Sequence, residues 1–169
     1  MNTLDILLEK IWQMPDCFVY TPAGMPTIQP DHVLPDDLNY FYQLCGGLEL
    51  FKSSSFPTII CPPDRLIPAN PVIFAGISQD LIDETKGHPS WSWYIVCECP
   101  EETDQWITID LSSLRAGYCY DSQFFLHPGD SYIVASSFTE LLALLIVDKG
   151  EDRFWFNFPP DRREPTLKS

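Results

Sequence analysis

The stretch LPDDLNYFYQLCGGLELF, Leu34 to Phe51, constrains the fold more than any other part of the chain. An amphipathic helical pattern runs into two glycines and restarts at once as an apolar segment. Pro35 suits the first helical position, where its missing N–H costs nothing. Asp36 and Asp37 sit in the first turn, at the positive end of the helix dipole. Leu34, Leu38, Phe41, Tyr42 and Cys45 recur at helical spacing as one apolar stripe. Gly46 can take the left-handed conformation that closes a helix, and Gly47 lets the chain reverse. Leu48, Leu50 and Phe51 then read as a strand. The two glycines form a helix-to-sheet corner, so helix and sheet belong to one α+β unit.

The rest of the chain extends this pattern. Thr3 is placed to cap a short helix in which Leu4, Leu7, Leu8 and Ile11 share a face, with Trp12 beside them and Pro15 as the stop. A strand is expected near Cys17–Tyr20, a second at Thr58–Cys61 and a third within Asn70–Ile77. Asp80 to Lys86 reads as a helical turn. Trp91 to Cys99 alternates, with Trp91, Trp93, Ile95, Cys97 and Cys99 on one face. Ile107, Ile109 and Leu111 share a face in the next run, and the acidic turn PEETD joins the two as an antiparallel hairpin. Gly117 to Asp121 is the next expected strand. Ser137 and Glu140 fit a capping box ahead of the leucine-rich helix Phe138 to Val147, which Gly150 stops. The run Phe154 to Phe158 reads either as an added strand or as an exposed anchor for a partner.

A chain of 169 residues, 45 % apolar and 14 % aromatic, can bury one core. Its 16 prolines are scattered as loop punctuation. The net charge of −14 makes nucleic acid and anionic membranes poor partners, because both need Lys and Arg to neutralise phosphate. The N-terminus has no basic region ahead of its apolar residues, and Leu141 to Val147 is too short to span a bilayer. A cytoplasmic protein is expected. The six cysteines show no C-x-x-C pair and read as reduced, small hydrophobes.

Metal, cofactor and nucleophile signatures are weak. His32, His88 and His127 lack paired-ligand spacing, and no metal is expected. Glycine-rich phosphate cradles are absent, and no cofactor or small-molecule substrate is expected. The clearest chemical feature is acid. Asp80, Asp83 and Glu84 cluster, as do Glu98, Glu101, Glu102 and Asp104, with no Lys or Arg between Lys86 and Arg115. These seven carboxylates and Trp155 are the candidate partner contacts, since clustered acids on loops suit a basic protein surface.

Three blocks carry a resemblance. They are Leu34-Pro35-Asp36-Asp37 with Phe41 and Cys45-Gly46-Gly47; the strand ending Ile107-Thr108-Ile109-Asp110; and Ala135-Ser136-Ser137-Phe138-Thr139-Glu140-Leu141-Leu142. In this order they resemble the SUKH superfamily, in the branch named for the Smi/Knr cell-wall synthesis regulators of yeast. Cys45 stands where the family often has Asn, and the insertion Ser53 to Pro89 is atypical. The resemblance implies one α+β domain over 1–150, a mostly antiparallel twisted sheet with helices against it. Residues 151–169 would be an aromatic, then polar, extension. It assigns Pro35, Gly46, Gly47, Asp110, Ser137, Phe138 and Glu140 structural roles. It implies a non-enzymatic bacterial immunity protein that binds and occludes a basic, cognate toxin domain, often a nuclease. A regulatory scaffold for a host protein and a small hydrolase are the alternatives.

Overall fold

The computed structural model describes residues 2–84, 86–123 and 130–157. Seven antiparallel strands form one sheet in chain order: β1 (Phe18–Val19), β2 (Leu48–Leu50), β3 (Thr58–Ile60), β4 (Trp93–Glu98), β5 (Gln105–Asp110), β6 (Cys119–Gln123) and β7 (Ile133–Ala135). Among the described residues five α-helices accompany it: α1 (Thr3–Gln13), α2 (Asp36–Leu44), α3 (Asn70–Ile73), α4 (Gln79–Glu84) and α5 (Phe138–Asp148). This is the α+β fold that the sequence implies.

The main core lies between one sheet face and α1, α2 and α5. Leu4, Leu7, Leu8 and Ile11 of α1, Leu38, Phe41 and Tyr42 of α2, and Phe138, Leu141 and Leu142 of α5 meet Leu48, Leu50, Ile60, Ile107 and Ile109. Full burial of each such side chain contributes about 1.5–3 kcal/mol. The segment between β3 and β4 covers the opposite face, where Ile73 and Phe74 pack with Trp93, Ile95 and Tyr120. Trp93 and Tyr120 stack there with ring centroids 4.0 Å apart. The insertion therefore gives the sheet a second covered face, and β4 is buried on both sides instead of alternating.

Several expectations are corrected. Asn70–Ile77 is no strand but begins with α3, because Pro71 near its N-terminus fits a helix start and cannot donate to a ladder. Asn2 caps α1, in place of Thr3, and forms a capping box with Asp5. Trp12, beside the apolar face of α1, is 73 % exposed. A bulge at Val96 breaks the alternation of β4: Ile95 faces Thr108, but Cys97 faces Ile107. Cys97 thereby joins Tyr94 and Val96 in the main core, while Trp93 and Ile95 stay on the other face. Trp91 precedes the strand in a 3₁₀ turn. Phe51 ends β2 with φ 52° instead of continuing it. The run at 154–157 is a 3₁₀ turn, not a strand.

The glycine corner exists with its roles rearranged. Extended Cys45 closes α2 as C-cap, and its N–H bonds Phe41 O. Gly46 has an ordinary φ; it is needed because a Cβ there would strike the carbonyl of Thr21. Gly47, at φ +121°, supplies the reversal, and a Cβ there would lie 2.8 Å from the Ile60 carbonyl oxygen.

Candidate functional site

The remaining motif residues make contacts within the fold. Asp110, fully buried at the end of β5, accepts from Ser92 Oγ (2.8 Å), Trp93 Nε1 (3.2 Å) and the Ser112 N–H (2.7 Å). The Arg115 guanidinium lies 3.3 Å away and compensates its charge. Pro35 stands at the N-cap of α2, and buried Phe138 opens α5 with its ring 4.8 Å from that of Phe41. Ser137 Oγ accepts from the Glu140 N–H, one half of a capping box. Glu140 does not complete the box; its Oε2 accepts from the Ser136 N–H and hydroxyl instead. Asp37, in the first turn of α2, also accepts from the Thr139 N–H at 2.8 Å and Thr139 Oγ1 at 3.0 Å. It joins the starts of α2 and α5 across 102 positions of sequence.

The acidic candidates divide by what they touch. Glu98 pairs with Arg65 at 3.0 Å, Glu102 with Arg153 at 2.5 Å, and Asp83 with Lys86 at 2.6 Å. The Lys86 ammonium and the Gln79 amide hold the Asp83 carboxyl below its usual range. Asp80 and Glu84 on α4, and Glu101 and Asp104 at the tip of the β4–β5 hairpin, are exposed and form no ion pair among the described residues. α4 is anchored through Ile82 on the second core, which leaves its carboxylates outward.

Trp155 is not an exposed anchor. It is 3 % exposed in the main core, and of the aromatic run Phe156 is the side chain at the surface, 52 % exposed. Arg153 lies between the rings of Phe56 and Phe156, with centroids at 5.3 and 4.9 Å, while holding Glu102. The acidic hairpin is thus fastened to the segment after α5. Beneath it, buried Asp121 accepts from the Gln105 side-chain amide. Burial pushes Asp121 up to about 6, against the opposing pull of Gln105, the nearby Trp155 indole and Arg153. The Trp155 N–H favours that carboxylate by proximity but falls short of hydrogen-bond geometry.

No thiol has the lowered pKa that a nucleophile needs. Burial raises all six, Cys45 to about 11 and Cys99 to about 12. Among the described residues, no three His, Cys, Asp or Glu side chains gather where they could hold a metal. His32 Nδ1 meets the Tyr94 hydroxyl at 3.0 Å, and His88 Nδ1 accepts from the Ser90 N–H; His127 lies outside the described residues.

One feature escaped sequence reasoning. Asp5, Glu9 and Trp12 lie on α1 beside its core face, and Leu8 borders both. With Val19 of β1 and Leu44 and Cys45 at the end of α2, they line a groove of about 320 Å³. Its signal in the sequence is the 5, 8, 9, 12 spacing, which overlaps the leucine face of the same helix at Leu8.

The SMI1 / KNR4 family (SUKH-1) matches residues 31–144, which contain α2, all strands from β2 to β7, and most of α5. The chain belongs to this family. It is also similar to the immunity protein YokJ of Bacillus subtilis (strain 168), 36 % identical over 155 residues that cover 90 % of this chain and 88 % of that protein. No solved structure matches it significantly. Among the described residues, no helix of this SUKH-1 chain is long and apolar enough to cross a membrane.

Proposed function

We propose that this chain is a cytoplasmic immunity protein that neutralises a cognate toxin domain by covering its working surface, without chemistry of its own. The similarity to an immunity protein along 90 % of the chain carries this reading. The charge supports a basic partner: at −14, the protein would be captured quickly by a positively charged domain such as a nuclease. Asp80, Glu84, Glu101 and Asp104 are the carboxylates best placed for first contact, because they are exposed and unneutralised. Glu98, Glu102 and Asp83 contribute to the same field while spending part of their charge internally. The test is co-expression of the protein with basic toxin domains from its own genome. Survival of the cells, and a stoichiometric complex in which the toxin is inactive, are expected. Failure to protect against every such domain sinks the reading.

A further inference from the structure

We propose that the groove between α1, α2 and β1 is a docking site for a basic polypeptide partner, which seats one large apolar side chain against Trp12. This deepens the immunity reading, on which the partner's identity as a toxin rests. The groove has an apolar floor of Leu8, Val19, Leu44 and Cys45, and Trp12 stands as its wall. Trp12 is 73 % exposed and Leu44 38 %, so both retain apolar surface to bury. A lone exposed apolar residue means little, but an exposed tryptophan bordering a formed apolar groove has the anatomy of an interface anchor.

The charge of the lining selects the occupant. Two carboxylates, Asp5 and Glu9, line the groove and no Lys or Arg does. Asp5 is fixed in place by the Asn2 N–H and the Tyr40 hydroxyl, each at 2.9 Å. Glu9 is exposed and forms no ion pair among the described residues. An apolar side chain flanked by Lys or Arg satisfies floor and rim together. A second copy of this chain would bring another −14 of charge to the same rim. The groove borders the edge strand β1, three strands from β4, or about 14 Å across the sheet.

The experiment is an amide and indole NMR titration with a heptapeptide that holds one phenylalanine between two lysine triplets. Two controls replace the phenylalanine by alanine or the lysines by glutamates. Saturable shifts at the Trp12 indole and at Val19 and Leu44 are expected. They should weaken about tenfold with the alanine peptide and vanish with the glutamate peptide. Trp12→Ala, a surface change that leaves the rest of the spectrum in place, should abolish them. The proposal is overturned by shifts that ignore the phenylalanine, survive Trp12→Ala or map only to the hairpin tip, and equally by Trp12-dependent self-association of the chain. Co-expression separates the two readings. Protection by a chain whose groove takes no peptide removes the groove alone; peptide binding by a chain that protects against nothing removes the immunity role alone.

Discussion

Two buried aspartates show how the same side chain takes opposite energetic roles. Asp110 is surrounded by three donors and a guanidinium, so its charge is fully compensated. Asp110→Ala leaves those donors without their acceptor and should cost about 3 kcal/mol or more. Asp110→Asn keeps an acceptor oxygen and should cost less, which urea denaturation of the pair would check. Asp121 is under-compensated, with a pKa near 6 against the ordinary 3.8. The native state therefore holds its proton more tightly than the unfolded chain. That contribution is fully present below about pH 4 and is lost as pH rises through about 6. Asp121→Asn should gain on the order of 2 kcal/mol over the wild type above pH 6, shrinking towards pH 4. Parallel stability profiles of the two proteins over this range would contradict the assignment.

At the scale of elements, the glycine corner and the α2–α5 contact decide how helices meet the sheet. Gly46→Ala drives a Cβ into the Thr21 carbonyl, and the backbone must move. It should cost about 2 kcal/mol or more. Gly24→Ala is the control: φ is +91°, but nothing lies within 4 Å, so only backbone strain of about 1 kcal/mol applies. Thermal unfolding of the two variants separates crowding from strain; equal losses would remove the close-approach argument. Asp37→Ala removes the one carboxylate oxygen that accepts two hydrogen bonds from Thr139 in the first turn of α5, and should cost about 1–2 kcal/mol. Hydrogen exchange that loosens α5 and the start of α2 together would show that this residue joins them.

For the whole molecule, charge and anchoring separate the acids. Reversing Glu101 and Asp104 to Lys should leave stability within about 0.5 kcal/mol, because neither makes an ion pair. It should slow capture of the proposed toxin partner most at low salt, where long-range attraction is least screened. Reversing Glu102 should instead disturb the protein itself, since Arg153 holds it and packs on Phe56 and Phe156. Association rates for both variants across a salt series check the distinction. If Glu101 and Asp104 reversal leaves the rate unchanged at every salt, the hairpin tip lies outside the interface.

The sequence by itself determined the helices whose periodicity is unbroken, α1, α2 and α5, and the pairing, though not the facing, of the β4–β5 hairpin; the next strand, expected at Gly117 to Asp121, runs Cys119–Gln123. It also determined the acid excess, because charge is a sum over residues and needs no geometry. The three motif blocks were legible, but not their contacts. That Asp37 caps α5 depends on chain segments 102 residues apart meeting in space. Tertiary structure alone decided the face of Cys97, since one bulged residue at Val96 inverts every later side chain. It also turned Asn70–Ile73 into helix, where covering the second sheet face outweighs a short apolar run's strand preference. It buried Trp155, a candidate partner contact, and left Trp12, beside the apolar face of α1, exposed. Burial is a property of what surrounds a residue, and local pattern carries that information only where the surroundings repeat with the same period.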